Sequence, residues 1–234
     1  MARWTRWIGL GVIAVGLVGG DQIRLNRPDH KYRLTVEIET PQGKASASGV
    51  FAVHPNRGYT GRGSAGTQTR GDALVIDAGG GKGLVVLLAQ EGRPLDIDGM
   101  NYIDMRALND GTGRRVQFRE LKTIKETVPV KGALVPVMLA FADMKVPSSA
   151  RLVKPGELDA ALAPGVKLRR VSVEPLPPGW WPIDFGGALG EPVTREIGRK
   201  LPWWDSASAS AATAVKAADL ELPEGTTALD LFRR

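Results

Sequence analysis

From Tyr32 to Thr40 apolar and polar positions alternate, with Tyr32, Leu34, Val36 and Ile38 on one side and Arg33, Thr35, Glu37 and Glu39 on the other. That two-residue period predicts a half-buried strand. Pro41-Gln42-Gly43-Lys44 supplies a turn, and Ala45 to His54 reads as the returning strand of a hairpin. A second hairpin follows from Asp72–Asp77, the turn Ala78 to Lys82, and Gly83–Gln90, whose unbroken apolar run predicts burial on both faces. Further on, Tyr102–Leu108 is a short helix or strand. Val116 and Phe118 alternate with Arg115, Gln117 and Arg119 as an expected strand, and Ala133–Ala142 is a buried strand in which Pro136 marks an edge or a bulge. Arg151–Lys154 is expected to be extended. Pro155 opens a short helix that Pro164-Gly165 ends, and Val166–Glu174 alternates with a phase shift at Arg169-Arg170 that predicts a bulge. Pro192–Leu201 reads as helical. These elements predict a mainly β, α+β fold: an antiparallel meander, small barrel or sandwich with two or three short helices.

The start of the chain follows another pattern. Residues 1–6 carry Arg3 and Arg6, and Trp7–Gly20 is a run of 14 residues without a charge. A positive stretch, an apolar stretch and small residues at its end are the three parts of an export signal. As a helix the run would be about 21 Å long, against a hydrocarbon core of about 30 Å, so it is short for a span. Val18 and Gly20 suit the −3 and −1 places of a cleavage site before Asp21. Gly20 stands where a lipobox would need cysteine, so lipid attachment is not available. The run is therefore a cleaved signal or a short membrane anchor. Arg3 and Arg6 favour a cytoplasmic N-terminus, whereas Arg24, Arg27, Lys31 and Arg33 after the run oppose export. The expected organisation is a signal or anchor over 1–20, a linker over 21–31, a β-rich domain over 32–204, and a flexible Ala/Ser-rich tail over 205–234.

The chain has 234 residues, of which 43% are apolar and 24% charged, an ordinary globular balance. It has no cysteine and two histidines, which excludes thiolate metal sites, cysteine nucleophiles, disulfides and a three-histidine metal centre within one chain. The net charge is +6, and its densest basic stretch is Arg114, Arg115, Arg119, Lys122, Lys125 and Lys131, interrupted by Glu120 and Glu126. Such a stretch meets phosphates or serves as a solvated face, and no nucleic-acid-binding signature accompanies it. Nucleic acid is not the expected partner.

Candidate chemistry is sparse. Gly61 to Gly66 spells G-x-G-x-x-G but precedes a strand instead of opening a helix, and Gly79-Gly80-Gly81-Lys82 lacks the following hydroxyl of a phosphate loop. No cofactor is expected. Asp96, Asp98 and Asp184 are the carboxylates an exported hydrolase would use, and the spacing of Asp96-Ile97-Asp98-Gly99 does not match a calcium loop. The six tryptophans fall in three pairs: Trp4 and Trp7 beside the apolar run, Trp180 and Trp181 in a Pro/Gly loop, and Trp203 and Trp204 after Leu201-Pro202. Paired tryptophans near a tether are candidate membrane or partner contacts.

The segments YRLTVEIETPQGKASASGV, ALVIDAGGGKGLVVLLAQ, PGELDAALAPGVKLRRVSVE and EPVTREIGRKLPWW resemble an uncharacterised family of bacterial envelope proteins that start with a signal or lipoprotein-like segment. The resemblance spans residues 32–204. It implies an envelope location and brings no active-site motif, so no residue role follows from it. The expectation is a membrane-tethered or exported β-rich domain with a binding or structural role. It would be anchored to the inner membrane facing the periplasm, or periplasmic after cleavage. An exported carboxylate hydrolase and a cytoplasmic nucleic-acid binder are the alternatives.

Overall fold

The computed structural model describes residues 28–54, 67–179 and 190–234, with Gly16 and Gly20 as isolated positions. The expected N-terminal signal or anchor, most of the linker, Trp4, Trp7, Trp180, Trp181 and Asp184 lie outside the described residues. So does the glycine-rich stretch 55–66.

Among the described residues nine strands form two antiparallel sheets. The first holds β1 (His30–Thr40), β2 (Gly43–His54), β3 (Gln68–Arg70), β6 (Val128–Pro129) and β9 (Lys167–Leu176), in the order β3-β2-β1-β9-β6. The second holds β4 (Leu74–Gly79), β5 (Lys82–Gln90), β7 (Pro136–Phe141) and β8 (Ala150–Val153), in the order β4-β5-β7-β8. Both expected hairpins form. The β1–β9 register shifts between Glu37 and Ile38, where Arg169 has no opposite residue, as the phase of that strand predicts. Pro136 begins β7, and the register with β5 shifts just beyond it, so its missing N–H falls at an irregularity.

The alternation explains the packing. Tyr32, Leu34, Val36 and Ile38 of β1 meet Leu74 and Ile76 of β4, Leu84, Val86 and Leu88 of β5, and Met138 of β7 in one core between the sheets. The helix α1 (Ile103–Thr112) adds Ile103, Ala107 and Leu108 to this core. The other face of the second sheet is apolar too. Val85, Leu87, Val137, Leu139 and Phe141 form a second core with residues from the C-terminal segment. The short helices α2 (Leu158–Ala161) and α3 (Ile197–Lys200) lie between these parts of the chain.

That second core corrects the expectation of a flexible tail over 205–234. The helix α4 (Ala207–Ala217) buries Ala211, Ala214 and Val215 against the sheet, and Leu231 and Phe232 are wholly enclosed. Small side chains along one helical face let α4 approach the sheet closely, so a segment poor in large apolar residues still packs. Residues 232–234 lie antiparallel beside residues 71–73 through Gly71 N–H to Arg234 O at 3.0 Å, Arg234 N–H to Gly71 O at 3.0 Å, and Ala73 N–H to Phe232 O at 2.8 Å. On the same stretch Gly71 makes room for the Phe51 ring. A Cβ there would stand 2.4 Å from a Phe51 ring carbon.

Asp72 fastens the same junction. Its buried carboxylate accepts Arg233 Nε and Nη2, each at 2.7 Å, Arg195 Nη1 at 3.1 Å and the Ile197 N–H at 3.0 Å. Burial alone would raise its pKa. The bonds from Arg233, Ile197 and Arg195 outweigh that and hold it below the usual carboxylate value.

One local expectation fails and two are narrowed. Val116–Arg119 is not a strand: Asn109 Oδ1 takes the Val116 N–H at 2.6 Å, and the chain then runs through turns. Residues 102–108 resolve to a 3-10 turn over Asp98–Tyr102 leading into α1. Of Pro192–Leu201 only Ile197–Lys200 is helical.

Trp203 is 7% exposed, its ring edge-on to Phe232 at 5.6 Å and 6.4 Å from Phe141. It is a core residue, which corrects its assignment to a membrane or partner contact. Replacing Trp203 by alanine should cost about 3–5 kcal/mol in urea unfolding, and Trp204→Ala markedly less. Because the folded Asp72 pKa is depressed, its stabilisation is complete above the unfolded carboxyl pKa of about 3.9 and is lost as pH falls through the lower folded value. Melting temperature should therefore fall more steeply below about pH 4 in the parent than in Asp72→Asn, which is less stable near neutrality.

Candidate functional site

The start of β1 brings together the polar groups that sequence patterns leave scattered. His30 opens β1 and Asp104 is the second residue of α1. Both are buried, at 1% and 0% exposure, and His30 Nε2 lies 3.3 Å from Asp104 Oδ1. The same oxygen accepts the Met105 N–H at 2.8 Å. Asp104 Oδ2 and both His30 ring nitrogens make no aligned hydrogen bond among the described residues.

Around this pair the surroundings are half aromatic and half polar. Tyr32 stacks on Phe51 at 5.3 Å, and its hydroxyl donates to Met100 O at 2.8 Å. Burial, and then the Asp104 carboxylate, push the Tyr32 phenol above its ordinary pKa, so it stays a neutral donor. Thr69 Oγ1 donates to Asn101 Oδ1 at 2.8 Å, and Asn101 Nδ2 donates to Thr67 O at 2.6 Å and to Asp98 Oδ1 at 3.3 Å. His54, buried at the end of β2, belongs to the same end of the sheet.

The expected carboxylates serve local structure here. Asp96 Oδ1 accepts the Gly99 N–H at 2.8 Å, capping the 3-10 turn, and Asp98 holds Asn101. They border an open cavity of about 580 Å³ with Asp230 and Arg234. Arg234 donates to Asp230 O at 3.0 Å and to Ile97 O at 3.3 Å, and burial lowers its pKa against the pull of Asp230 and Asp98. Among the described residues no three His, Asp or Glu side chains gather as a metal site.

Outside the buried pair stands the loop that carries the basic stretch. Val116 and Leu121 are buried and pin it to the core, while Arg114, Arg115, Arg119, Lys122 and Lys125 are all exposed. Arg114 is committed to Glu120, at 2.6 Å, and holds that carboxyl below its usual pKa. Phe118 is 44% exposed, although its ring has two aromatic neighbours: His30 at 5.5 Å and, nearly edge-on, Tyr102 at 5.8 Å. Arg106 lies over the Tyr102 ring at 5.9 Å. The buried His30 thus packs against an exposed aromatic ring on the loop that carries the basic stretch.

A second concavity borders β8, one of the two edge strands of its sheet. It encloses about 440 Å³ between Val135, Leu152 and Leu220, with Arg93, Lys154 and Glu221 at its rim. Leu152 is 47% exposed beside it. The side chains of the expected basic patch are exposed on the same loop as Phe118. Trp204 is half-buried under Arg233, whose guanidinium lies 4.7 Å from its ring.

Sequence reasoning missed the His30–Asp104 pair. Its one visible signal was a carboxylate on an apolar helical face, since Asp104 precedes Ala107 by three residues and Leu108 by four. In a double-mutant cycle, His30→Ala and Asp104→Ala should each destabilise the fold by about 2–4 kcal/mol, with a coupling of about 1–2 kcal/mol read from urea midpoints. No protein-family model, curated protein or solved structure matches the chain.

Proposed function

We propose that this chain is a membrane-tethered or exported β-rich domain of the bacterial cell envelope with a binding or structural role. Its location is argued from the positive, apolar and small-residue order of residues 1–20, and from the resemblance to envelope proteins over 32–204. Its architecture is best described as a β sandwich, because the inner faces of the two sheets share one core.

The binding role is carried by one observation. The described surface holds an apolar groove of about 440 Å³ along an edge strand, with Leu152 left half exposed at its side. Edge strands offer unpaired backbone groups, and an adjoining apolar channel offers room for alternate side chains of an extended segment. Arg93, Lys154, Glu91, Asp219 and Glu221 all line the groove, so it is bordered by both signs of charge. A protein segment is the partner this geometry suits. The carboxylate-hydrolase reading loses support because Asp96 accepts the Gly99 N–H and Asp98 accepts from the Asn101 side chain, so both serve the local turn.

Fractionation of expressing bacteria, with the intact mass of the recovered protein, tests the location. The expected result is full-length protein in the membrane pellet, or protein shortened by residues 1–20 in the periplasm. Full-length protein in the cytoplasm would overturn the reading.

A further inference from the structure

We infer that the loop around Phe118 is a docking surface for an anionic lipid headgroup layer, a second point of contact for a domain already tethered at its N-terminus. The inference rests on the tethered reading above. Among the described residues no helix is long and apolar enough to cross a membrane, and Trp7–Gly20 is itself short for a span. A weak apolar anchor holds stably when a basic patch adds a second signal.

Three observations place that second signal at this loop. The first is charge. Residues 114–125 carry five cations and one carboxylate, Glu120, which accepts from Arg114 at 2.6 Å and from the Gln117 N–H at 3.4 Å. Arg115, Arg119, Lys122 and Lys125 remain exposed, joined by Arg106 from α1.

The second is the ring at the centre. Phe118 projects from a turn that Val116 and Leu121 anchor, and His30 and Tyr102 support it. An aromatic ring held outward among cations suits the boundary between headgroups and acyl chains, where its face is dehydrated while the cations meet phosphates. A solvated charge run needs no such ring.

The third is position. Phe118 packs on His30, the first residue of β1, so the patch lies at the end of the domain where the chain arrives from the apolar run. Residues 21–29 separate that run from His30. Nine residues reach about 30 Å at most when fully extended. The tether therefore cannot hold the patch far from the bilayer that receives residues 7–20. This covalent proximity favours a lipid surface over nucleic acid as the source of the phosphates.

The absence of cysteine makes the test direct. Full-length Phe118→Cys, labelled with an environment-sensitive fluorophore, is mixed with vesicles of phosphatidylcholine alone or containing phosphatidylglycerol. The expected result is a blue-shifted, iodide-protected emission only with phosphatidylglycerol, reversed by high salt. Each of Arg115→Glu, Arg119→Glu and Lys122→Glu should weaken that partitioning on the order of fivefold or more. These side chains are exposed, so urea midpoints should stay unchanged. For the unlabelled protein, Phe118→Ala should lower cosedimentation with phosphatidylglycerol vesicles.

A water-exposed fluorophore in both vesicle types, with the chain still cosedimenting, would overturn the docking surface and leave the tether intact. Failure of the full-length chain to sediment with phosphatidylcholine, together with a shift on phosphatidylglycerol, would overturn the tether and support the surface. A spectral shift on added duplex DNA or RNA but none on phosphatidylglycerol would overturn the inference in favour of nucleic acid.

Discussion

The second sheet is apolar on both faces, and the rest of the molecule is arranged to satisfy that fact. Along β5, Leu84, Val86 and Leu88 turn one way and Val85, Leu87 and Ala89 the other, and all six are buried. A strand like this cannot stand at a solvent boundary, because each exposed face would leave several large side chains in water. One face is covered by the first sheet. The other is covered by α4, Trp203 and the 3-10 turn that carries Leu231. The C-terminal segment is therefore part of the fold's minimum, a third layer over the central sheet.

Covering a sheet with the end of the chain requires a fastening, and Asp72 supplies it. The carboxylate joins the segment entering β4 to Arg233, and through Arg195 and Ile197 to the start of α3. Both arginines remain partly exposed, at 42% for Arg195 and 35% for Arg233. The pair thus keeps some hydration on the cationic side while the carboxylate takes four bonds on the buried side. That arrangement avoids much of the desolvation cost that makes fully buried ion pairs weak. The backbone bonds between residues 71–73 and 232–234 then extend the sheet's hydrogen bonding around the same point.

The two ends of the domain contrast. Where β1 begins, His30, Asp104, Tyr32 and Asn101 form a polar layer beneath the Phe118 ring and its cations. At the edge marked by β8, the surface is an apolar groove with charges of both signs at its rim. The two proposed contacts therefore use different parts of the described surface, one basic and aromatic, the other apolar with charges of both signs. His30, paired with Asp104 below, packs 5.5 Å from the Phe118 ring.

Much of the fold was legible in the sequence, because strands whose faces differ must alternate and strands buried on both faces must not. The hairpins of β1–β2 and β4–β5, the bulge opposite Arg169-Arg170 and the double burial of β5 all follow from that rule. Composition alone also excluded cysteine chemistry. The failures share a cause. Residues 205–219 looked like a linker because alanine and serine bury little area each, yet small side chains are what permits close packing on a flat apolar sheet. Val116 and Phe118 alternated like a strand, but Asn109 captured the Val116 N–H and turned the chain. Trp203 read as a surface contact because its burial depends on Phe141 and Phe232, each distant in sequence. The basic stretch was visible as charge, whereas its aromatic centre depends on His30, 88 residues before Phe118. Local pattern thus determines which segments become strands, while long-range packing decides which small, aromatic or charged side chains those strands bury and which they leave to meet a partner.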